Sequence, residues 1–208
     1  SNIQFLISDW DGTLVDSILN LTKSFVKTMF DNFNIPKEVL RKFYSATTGQ
    51  PLSRQIKEAA QKFAHKNIKN TLELESKFWD NLQGEKPTIL KGAKEFLEAI
   101  KKKNIAIVVW SGTRTDILRK NIEDLGLSPL IAFAIGNKSG STDMVKGPGL
   151  FKEIASHFGV DEKDLASKSL VIGDGLGDIQ AGKAIGARTA GFTRIPNASL
   201  ETSNPNFL

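Results

Sequence analysis

The sequence predicts an α/β fold in which helices cover both faces of a parallel β-sheet. In the second half of the chain, continuous apolar runs of strand length alternate with amphipathic stretches of helix length. This alternation is typical of βαβ units, because their strands are buried on both faces and lack the polar positions of a half-exposed strand. With 208 residues, the chain has the length of one domain, or of one domain that carries an insertion.

The first half of the chain is expected to begin with a strand and to continue with helices. The apolar run at residues 3–7 ends at the polar sequence SDWDGTLVDS, and about seventy residues without a strand pattern follow. Apolar residues recur at spacings of three and four in residues 19–33 and in Leu52–Ala64, which predicts two amphipathic helices. Turn-forming residues at 34–36 and 47–51 separate the elements of this helical region.

The alternating pattern begins after Pro87. It predicts helices at residues 93–103, 115–125, 149–158 and 178–185, and strands at residues 105–110, 130–135, 169–172 and 188–192. A parallel sheet of this kind binds ligands beyond the carboxyl ends of its strands. Polar residues follow three of the predicted strands, namely Asp9 and Asp11, Ser111, and Asp174. The sequence therefore places a candidate functional site at this edge of the sheet.

The composition excludes several kinds of chemistry. The chain contains no Cys, which excludes disulfides, thiolate metal sites, iron–sulfur clusters and a cysteine nucleophile. Two His residues are too few for a His-rich metal site. No run of 18 apolar residues occurs and the opening apolar run is too short for a signal peptide, so we expect a cytoplasmic protein with no membrane partner. The net charge of +5 leaves an anionic substrate and nucleic acid open as partners.

Asp9 and Asp11 are the first candidate functional residues. They lie two apart on an extended segment, so we expect both carboxylates to point to the same face. Convergent carboxylates repel unless a cation lies between them or one of them is protonated, and hard oxygen ligands favour Mg²⁺ over Zn²⁺. Gly12 and Thr13 then turn the chain, which lets backbone N–H groups approach an anion. A bland surface turn and a calcium-binding loop are the alternatives for this segment.

A second acidic pair lies in the glycine-rich sequence GDGLGD at residues 173–178. Asp174 directly follows an apolar strand, where an unpaired charge would be costly. Asp178 lies near the start of a helix, so a capping role alone would explain it. The glycine spacing differs from the dinucleotide-binding pattern G-x-G-x-x-G. Because this loop contains two acidic residues and no basic residue, the sequence indicates that it binds a cation and not a pyrophosphate group.

Ser111, Gly112 and Lys146 are candidate phosphate-binding residues. Ser111 and Gly112 end the most apolar strand, where a hydroxyl and adjoining backbone amides can hold phosphate oxygens. Lys146 precedes a helix and can neutralise charge that develops on a phosphate. Both signals are weak alone, because such residues are common in turns and on surfaces.

Taken together, these segments resemble the haloacid dehalogenase-like (HAD) hydrolase superfamily, especially its small phosphoglycolate-phosphatase-like members. The motif D-x-D-G-T-[LV]-x-D-S is matched by residues 9–17, and G-D-x-x-x-D by residues 173–178. Ser111 matches the hydroxyl residue that ends a strand, and Lys146 matches the lysine often found in K-P-x-P. The resemblance implies a Rossmann-like (HAD-like) parallel-sheet core, residues 1–16 and 86–208, with an inserted all-α cap domain, residues 17–85.

The resemblance also implies a Mg²⁺-dependent phosphatase that hydrolyses a small phosphate monoester. Asp9 would attack phosphorus to form an aspartyl-phosphate, and Asp11 would protonate the leaving oxygen and later activate water. Asp9, Asp174 and the backbone carbonyl of Asp11 would bind Mg²⁺. Asp178 would be a further ligand or would contact one of the ligands. An Asp at position 11 favours phosphoryl transfer over carbon–halogen cleavage. Ser111 and Lys146 would hold the phosphoryl oxygens.

Cap residues are implied to select the substrate. The turn at residues 47–51 resembles the substrate-specificity loop of such caps, which makes Gly49 and Arg54 candidate substrate contacts. For Arg54, a solvated position on a helix is the alternative. Two departures from the family pattern weaken any transfer of substrate identity, because Gly112 replaces a frequent Asn and Gly147 replaces the Pro after the lysine.

Three alternatives remain open from the sequence. A phosphosugar mutase of the same superfamily would share the aspartyl-phosphate. A nucleic-acid-binding protein would draw on the basic charge, although residues 101–103 form the longest Lys run and end a predicted helix. A non-catalytic relative would serve as an interaction protein. The partner we expect is a small phosphorylated metabolite, with no nucleic acid, and the chain is expected to be a monomer or a small homo-oligomer.

Overall fold

A five-stranded parallel sheet lies at the centre of the structure, a computed structural model that describes residues 3–143, 146–192 and 205. In chain order, the elements are β1 (Phe5–Ser8), β2 (Val15–Asp16), α1 (Ile18–Phe33), α2 (Lys37–Ala46), α3 (Leu52–Ala64), α4 (Leu72–Asp80), β3 (Thr88–Ile89), α5 (Ala93–Lys102), β4 (Ala106–Arg114), α6 (Thr115–Asp124), β5 (Phe133–Asn137), α7 (Pro148–Phe158), α8 (Glu162–Ser167), β6 (Ser169–Gly173), α9 (Leu176–Ala184) and β7 (Arg188–Gly191). The sheet order is β5–β4–β1–β6–β7. The predicted α/β fold class is therefore confirmed.

The central strand β1 is buried on both faces, as its uninterrupted apolar sequence predicts. Ile7 pairs with Val108 of β4 on one side and with Val171 of β6 on the other. Successive side chains point to opposite faces, so Ile7 and Leu6 enter two different hydrophobic cores above and below the sheet. Burial of each aliphatic side chain of this kind stabilises the folded state by roughly 1.5–3 kcal/mol.

Helices α1–α4 pack around a hydrophobic core of their own. Its members are apolar and buried: Phe25, Val26, Met29, Ile35, Leu40, Leu52, Ile56, Ala59, Ala60, Leu74 and Phe78. Phe25 also stacks on Tyr44 with ring centroids 4.7 Å apart. The chain leaves and re-enters the sheet region through the antiparallel pair β2 and β3, in which Val15 pairs with Ile89. The two ends of the helical region are therefore held side by side.

Helices α2, α4 and α8 are absent from the sequence-based prediction. Only Leu40 is buried in α2, and α4 buries Leu74, Glu75 and Phe78, so their apolar faces are too short to stand out among charged residues. Strand β4 continues four residues beyond its predicted end at residue 110, and β5 begins three residues later than predicted. The extension matters for the site, because it carries two hydroxyl residues of β4 toward the carboxyl edge of β1.

Among the described residues, no helix combines the length and the apolar character needed to cross a lipid bilayer. Residues 1–2, 144–145, 193–204 and 206–208, which belong to the core in the predicted division of the chain, lie outside the described residues.

Candidate active site

The predicted site residues outside the helical region meet at the carboxyl edge of the sheet. Asp9 directly follows β1, Ser111 lies near the end of β4, and Asp174 follows β6. Lys146 precedes α7, and its Nζ reaches the same place. Because β1 is the middle strand, its carboxyl end lies between those of β4 and β6, and residues far apart in the chain become neighbours.

The carboxylate of Asp9 has a different donor on each oxygen. Thr13 Oγ1 donates to Oδ2 at 2.8 Å, and Lys146 Nζ lies 2.5 Å from Oδ1. The Asp9 residue is only 4% exposed, so the two donors replace the water that a surface carboxylate would bind. These contacts fix the orientation of the carboxylate.

The carboxylate of Asp11 is held by three hydroxyl groups. Ser17 Oγ donates to Oδ1 at 2.5 Å, and Thr113 Oγ1 and Ser111 Oγ donate to Oδ2 at 2.7 Å and 3.0 Å. Burial raises the pKa of Asp11, the charge of Asp9 raises it further, and the three hydrogen bonds oppose that rise. A carboxyl group with a raised pKa retains a proton more readily, which suits a proton donor.

Ser17 and Thr113 were not predicted as site residues, although the sequence contains signals for both. Ser17 is the last position of the first motif. Thr113 lies two residues after Ser111 on the same strand and therefore on the same face, but its hydroxyl reaches the site only because β4 extends beyond residue 110. Gly112 lies between them and is half-buried, with open space where a Cβ would stand.

Lys146 joins two of the carboxylates. Its Nζ lies 2.5 Å from Oδ1 of Asp178 as well as from Asp9. Burial alone would lower the pKa of Lys146, but the charges of Asp178 and Asp9 outweigh it and raise the pKa above its usual range. The lysine therefore stays charged. Its single positive charge is shared between two buried carboxylates.

The acidic groups of this edge exceed the positive charge available to them. Burial raises the pKa of Asp174 to about 8, with the charges of Asp9 and Asp178 adding to the rise. Burial likewise raises the pKa of Asp178 to about 6, although Lys146 opposes the rise. Asp9, Asp174 and Asp178 each have one carboxylate oxygen within 4.8 Å of the others. Three convergent carboxylates with hard oxygen donors fit a divalent cation such as Mg²⁺.

Two glycines lack the side chains that would collide with the acidic groups. A Cβ on Gly12 would lie 2.3 Å from Oδ2 of Asp174, and a Cβ on Gly173 would lie 2.2 Å from Cγ of Asp178. Gly12 also has a φ of +89°, a conformation that other residues rarely adopt. The glycines of both motifs are therefore required for the close approach of the carboxylates.

Asp178 makes one contact that caps a helix and one that reaches the site. Its Oδ2 accepts a hydrogen bond from the backbone N–H of Gly175 at 3.1 Å, which caps the start of α9. Its Oδ1 accepts from Lys146 in the site. The cap fixes the side chain in the orientation that its contact with Lys146 requires.

The helical region contributes a residue that was not predicted. Tyr44 on α2 is half-buried, and its pKa is raised by burial and by the charge of Asp11, so its phenol group lies near the site. Gly49 lies in an exposed turn with a φ of +88°. Arg54 Nε lies 3.7 Å from Oε1 of Glu58 on the exposed side of α3. The predicted substrate contacts of Gly49 and Arg54 remain predictions.

A sequence model of the family described as haloacid dehalogenase-like hydrolase matches residues 6–192. The chain belongs to this family, as the resemblance predicted. It is 26% identical to a presumed pyrophosphatase, PpaX, of Clostridium perfringens, over 99% of this chain and 92% of the relative. It is 24% identical to a phosphoglycolate phosphatase of Photobacterium profundum, over 98% of this chain and 90% of that protein. The names of these relatives agree with the predicted class of enzyme, a phosphatase.

Solved structures show the same fold. A predicted phosphoglycolate phosphatase from Haemophilus somnus superposes with a TM-score of 0.78 at 22% identity, covering 100% of this chain and 93% of its own. A predicted phosphatase from Clostridium acetobutylicum superposes with a TM-score of 0.79 at 19% identity, again covering 100% and 93%.

Proposed function

We propose that this chain is a Mg²⁺-dependent phosphatase that hydrolyses a small phosphate monoester through an aspartyl-phosphate on Asp9. One observation carries the proposal. Asp9 and Asp11 lie two residues apart, yet Asp9 is held by a lysine and a hydroxyl while Asp11 is held by hydroxyls alone and has a raised pKa. Two neighbouring carboxyl groups in such different surroundings suit two different roles, one as nucleophile and one as acid and base.

In the first step, an oxygen of Asp9 forms a bond to phosphorus as the bond to the leaving oxygen breaks. The contact with Lys146 limits the rotation of the Asp9 carboxylate, so the nucleophile is oriented before the substrate arrives. Ser111 through its hydroxyl, Gly112 through its backbone amide, Thr13 and Lys146 are proposed to hold the phosphoryl oxygens, although the backbone N–H of Thr13 donates to the carbonyl of Trp10 in this structure. These donors would stabilise the negative charge of the transferring group.

Asp11 is proposed to move the proton in both steps. It donates its proton to the leaving oxygen, which releases the alcohol, and then accepts a proton from the water that hydrolyses the aspartyl-phosphate. The hydroxyls of Ser17 and Thr113 hold its carboxyl group in place between the two steps. Asp11 is protonated again at the end, so the enzyme returns to its starting state.

The metal site is proposed to consist of Asp9, Asp174 and the backbone carbonyl of Asp11, with Asp178 as a further ligand or as the neighbour of one. When bound, Mg²⁺ would supply positive charge to the carboxylates and to the phosphoryl oxygens. Asp178 links this site to Lys146 through their contact.

Residues 17–85 are proposed to form the cap over this site, and residues 1–16 and 86–208 the catalytic core. The segment contains 11 basic and 7 acidic residues, so most of the net charge of +5 lies in the cap. A positive cap would attract a phosphorylated metabolite to an acidic, metal-containing site. Tyr44, Gly49 and Arg54 are the proposed cap residues that face the leaving group. The protein is proposed to act in the cytoplasm, as a monomer or a small homo-oligomer.

A phosphate-release screen tests the proposal. The panel contains an aryl phosphate, phosphoglycolate, inorganic pyrophosphate and a hexose 1-phosphate, each assayed with Mg²⁺ and with EDTA. The Asp9→Asn protein serves as the control for contaminating phosphatases. Conversion of the hexose 1-phosphate to its 6-phosphate without phosphate release would identify a mutase instead. Absence of both products from the entire panel would count against the proposal.

A further inference from the structure

Glu75 is a buried carboxylate that joins the helical region to the sheet region. It lies on α4 and is 4% exposed. Its Oε1 accepts hydrogen bonds from Ser53 Oγ and Thr71 Oγ1, both at 2.6 Å. The backbone N–H of Gly140, in the segment after β5, donates to both carboxylate oxygens at 3.1 Å. Two donors therefore come from the helical region, and the third comes from the core.

This division of donors suits a contact that opens and closes. A buried carboxylate without partners would be costly, and charge-assisted hydrogen bonds offset that cost. If the helical region moves away from the core, Ser53 and Thr71 move with Glu75 and only the Gly140 amide is lost. Water replaces that amide when the carboxylate becomes exposed. The carboxylate would thus stay hydrogen-bonded in both positions, and the contact with Gly140 would form again without reorganisation of the helices.

Leu72, Glu75 and Trp79 form one contact face of α4. Their spacing of three and four residues places them on the same side of the helix. The Leu72 side chain lies against Gly140, since a Cβ there would stand 3.4 Å from Leu72 Cδ2. The guanidinium of Arg114, at the end of β4, lies 6.0 Å from the Trp79 ring. Hydrogen bonding to Asp116 raises the pKa of Arg114, and the charge of Glu75 adds to that rise.

The core side of this contact is close to the reacting groups. Arg114 follows Thr113 in the chain, and Ser111 lies three residues before it on the same strand. Both hydroxyls donate to Asp11. We propose that the helical region closes on the core through the α4 contact face, and that Glu75 is the positioning residue of this closure, with the Gly140 amide as its partner. The inference rests on the proposed function in that it takes residues 17–85 to be a cap.

Glu75→Gln tests the inference, with Glu73→Gln as the matched control. Glu73 lies on the same helix but is exposed and paired with Lys77. The Gln side chain keeps the shape of Glu75 and removes its charge. We expect the Gly140 amide, followed by NMR, to exchange its hydrogen about tenfold faster in Glu75→Gln, because a neutral acceptor holds the amide more weakly than a carboxylate does. We expect kcat/KM for an aryl phosphate to fall about tenfold for the same reason. Glu73→Gln should match the wild-type protein in both measurements.

Arg114→Gln tests the same face from the core side and leaves the three donors of Glu75 in place. Arg114→Gln should also speed hydrogen exchange at the Gly140 amide. The variant that carries both Glu75→Gln and Arg114→Gln should lose less activity than the sum of the two single losses, because both residues act on one closure. Wild-type exchange at Gly140 in a folded Glu75→Gln protein would overturn the inference. If that variant does not fold, unchanged exchange in Arg114→Gln overturns it. Exchange needs no catalysis, so a wild-type protein that releases no phosphate contradicts only the proposed function.

Discussion

At the scale of single residues, the site depends on what each carboxyl group touches. Asp9 contacts Lys146 and Thr13, whereas Asp11 contacts three hydroxyls and no cation among the described residues. Lys146 and Thr13 fix the orientation of the Asp9 carboxylate, whereas burial and the charge of Asp9 raise the pKa of Asp11 against the opposing effect of its three hydroxyl donors. The proposed division of labour between nucleophile and acid follows from this difference and leads to separate predictions for the two residues.

Asp9→Asn should reduce phosphate release by a factor on the order of 10⁴ or more, because a neutral amide cannot attack phosphorus. The measurement is steady-state phosphate release from an aryl phosphate, with circular dichroism to establish that the variant is folded. An active, folded Asp9→Asn protein would assign the nucleophile to another group.

Asp11→Asn should slow turnover about 10²–10⁴-fold, because the amide of Asn cannot serve as general acid or base. An aryl phosphate with a good leaving group needs little protonation, so its first step should be slowed less than hydrolysis of the aspartyl-phosphate. Phosphoenzyme should therefore accumulate, which acid quenching and mass spectrometry detect. Equal rates for the variant and the wild-type protein would show that Asp11 has no part in proton transfer.

Gly12→Ala should weaken Mg²⁺ binding, since its Cβ would displace the Asp174 carboxylate from a distance of 2.3 Å. Gly84→Ala is the matched control, because Gly84 has a φ of +88° but open space around it. Both variants should lose about 1 kcal/mol of folding stability from the strained backbone. Only Gly12→Ala should lose Mg²⁺ affinity, measured by titration calorimetry. An equal loss of Mg²⁺ affinity in Gly84→Ala would mean that backbone strain, and not displacement of Asp174, causes the effect.

At the scale of elements, the helical region has its own core and should depend on it for stability. Phe25→Ala on α1 removes a fully buried ring that stacks on Tyr44, and should cost about 3–5 kcal/mol in the free energy of unfolding. Leu19→Ala on the same helix, where Leu19 is 63% exposed, should change it by less than about 0.5 kcal/mol. Urea denaturation measures both values. A loss in Phe25→Ala as small as that expected for Leu19→Ala would mean that this core contributes little to stability.

The elements also show where periodicity is informative. Local sequence predicts the elements that bury many residues close together in the chain. These are the long amphipathic helices α1 and α3 and the apolar strands β1 and β4. The apolar face of α2 consists of few residues, and its burial depends on contacts with α1 and α3. The extension of β4 beyond Trp110 is polar and continues because Arg114 pairs with Asn137 of β5. Such pairing cannot be read from local sequence.

At the scale of the whole molecule, Mg²⁺ should stabilise the folded protein. The proposed ligands come from the ends of β1 and β6, so the complete site exists only when the sheet is formed. Mg²⁺ at a hundred times its Kd should add about 2.7 kcal/mol and raise Tm by several degrees. Asp174→Asn should lose most of this increase, whereas Asp164→Asn, an exposed residue on α8, should retain it. A wild-type Tm that is insensitive to Mg²⁺ would contradict the metal site.

The sequence by itself determined the fold class, the family and the residue types of the site. The apolar strands and the two Asp-containing motifs are local patterns, and each is complete within about ten consecutive residues. Tertiary structure alone decided which distant donors reach each carboxylate, beside local donors such as Thr13 on Asp9 and Ser17 on Asp11. It placed Ser111 and Thr113 on Asp11, Lys146 between Asp9 and Asp178, and Gly140 against Glu75. These contacts join residues 32 to 137 positions apart, and they form only when sheet order and helix packing bring distant segments together.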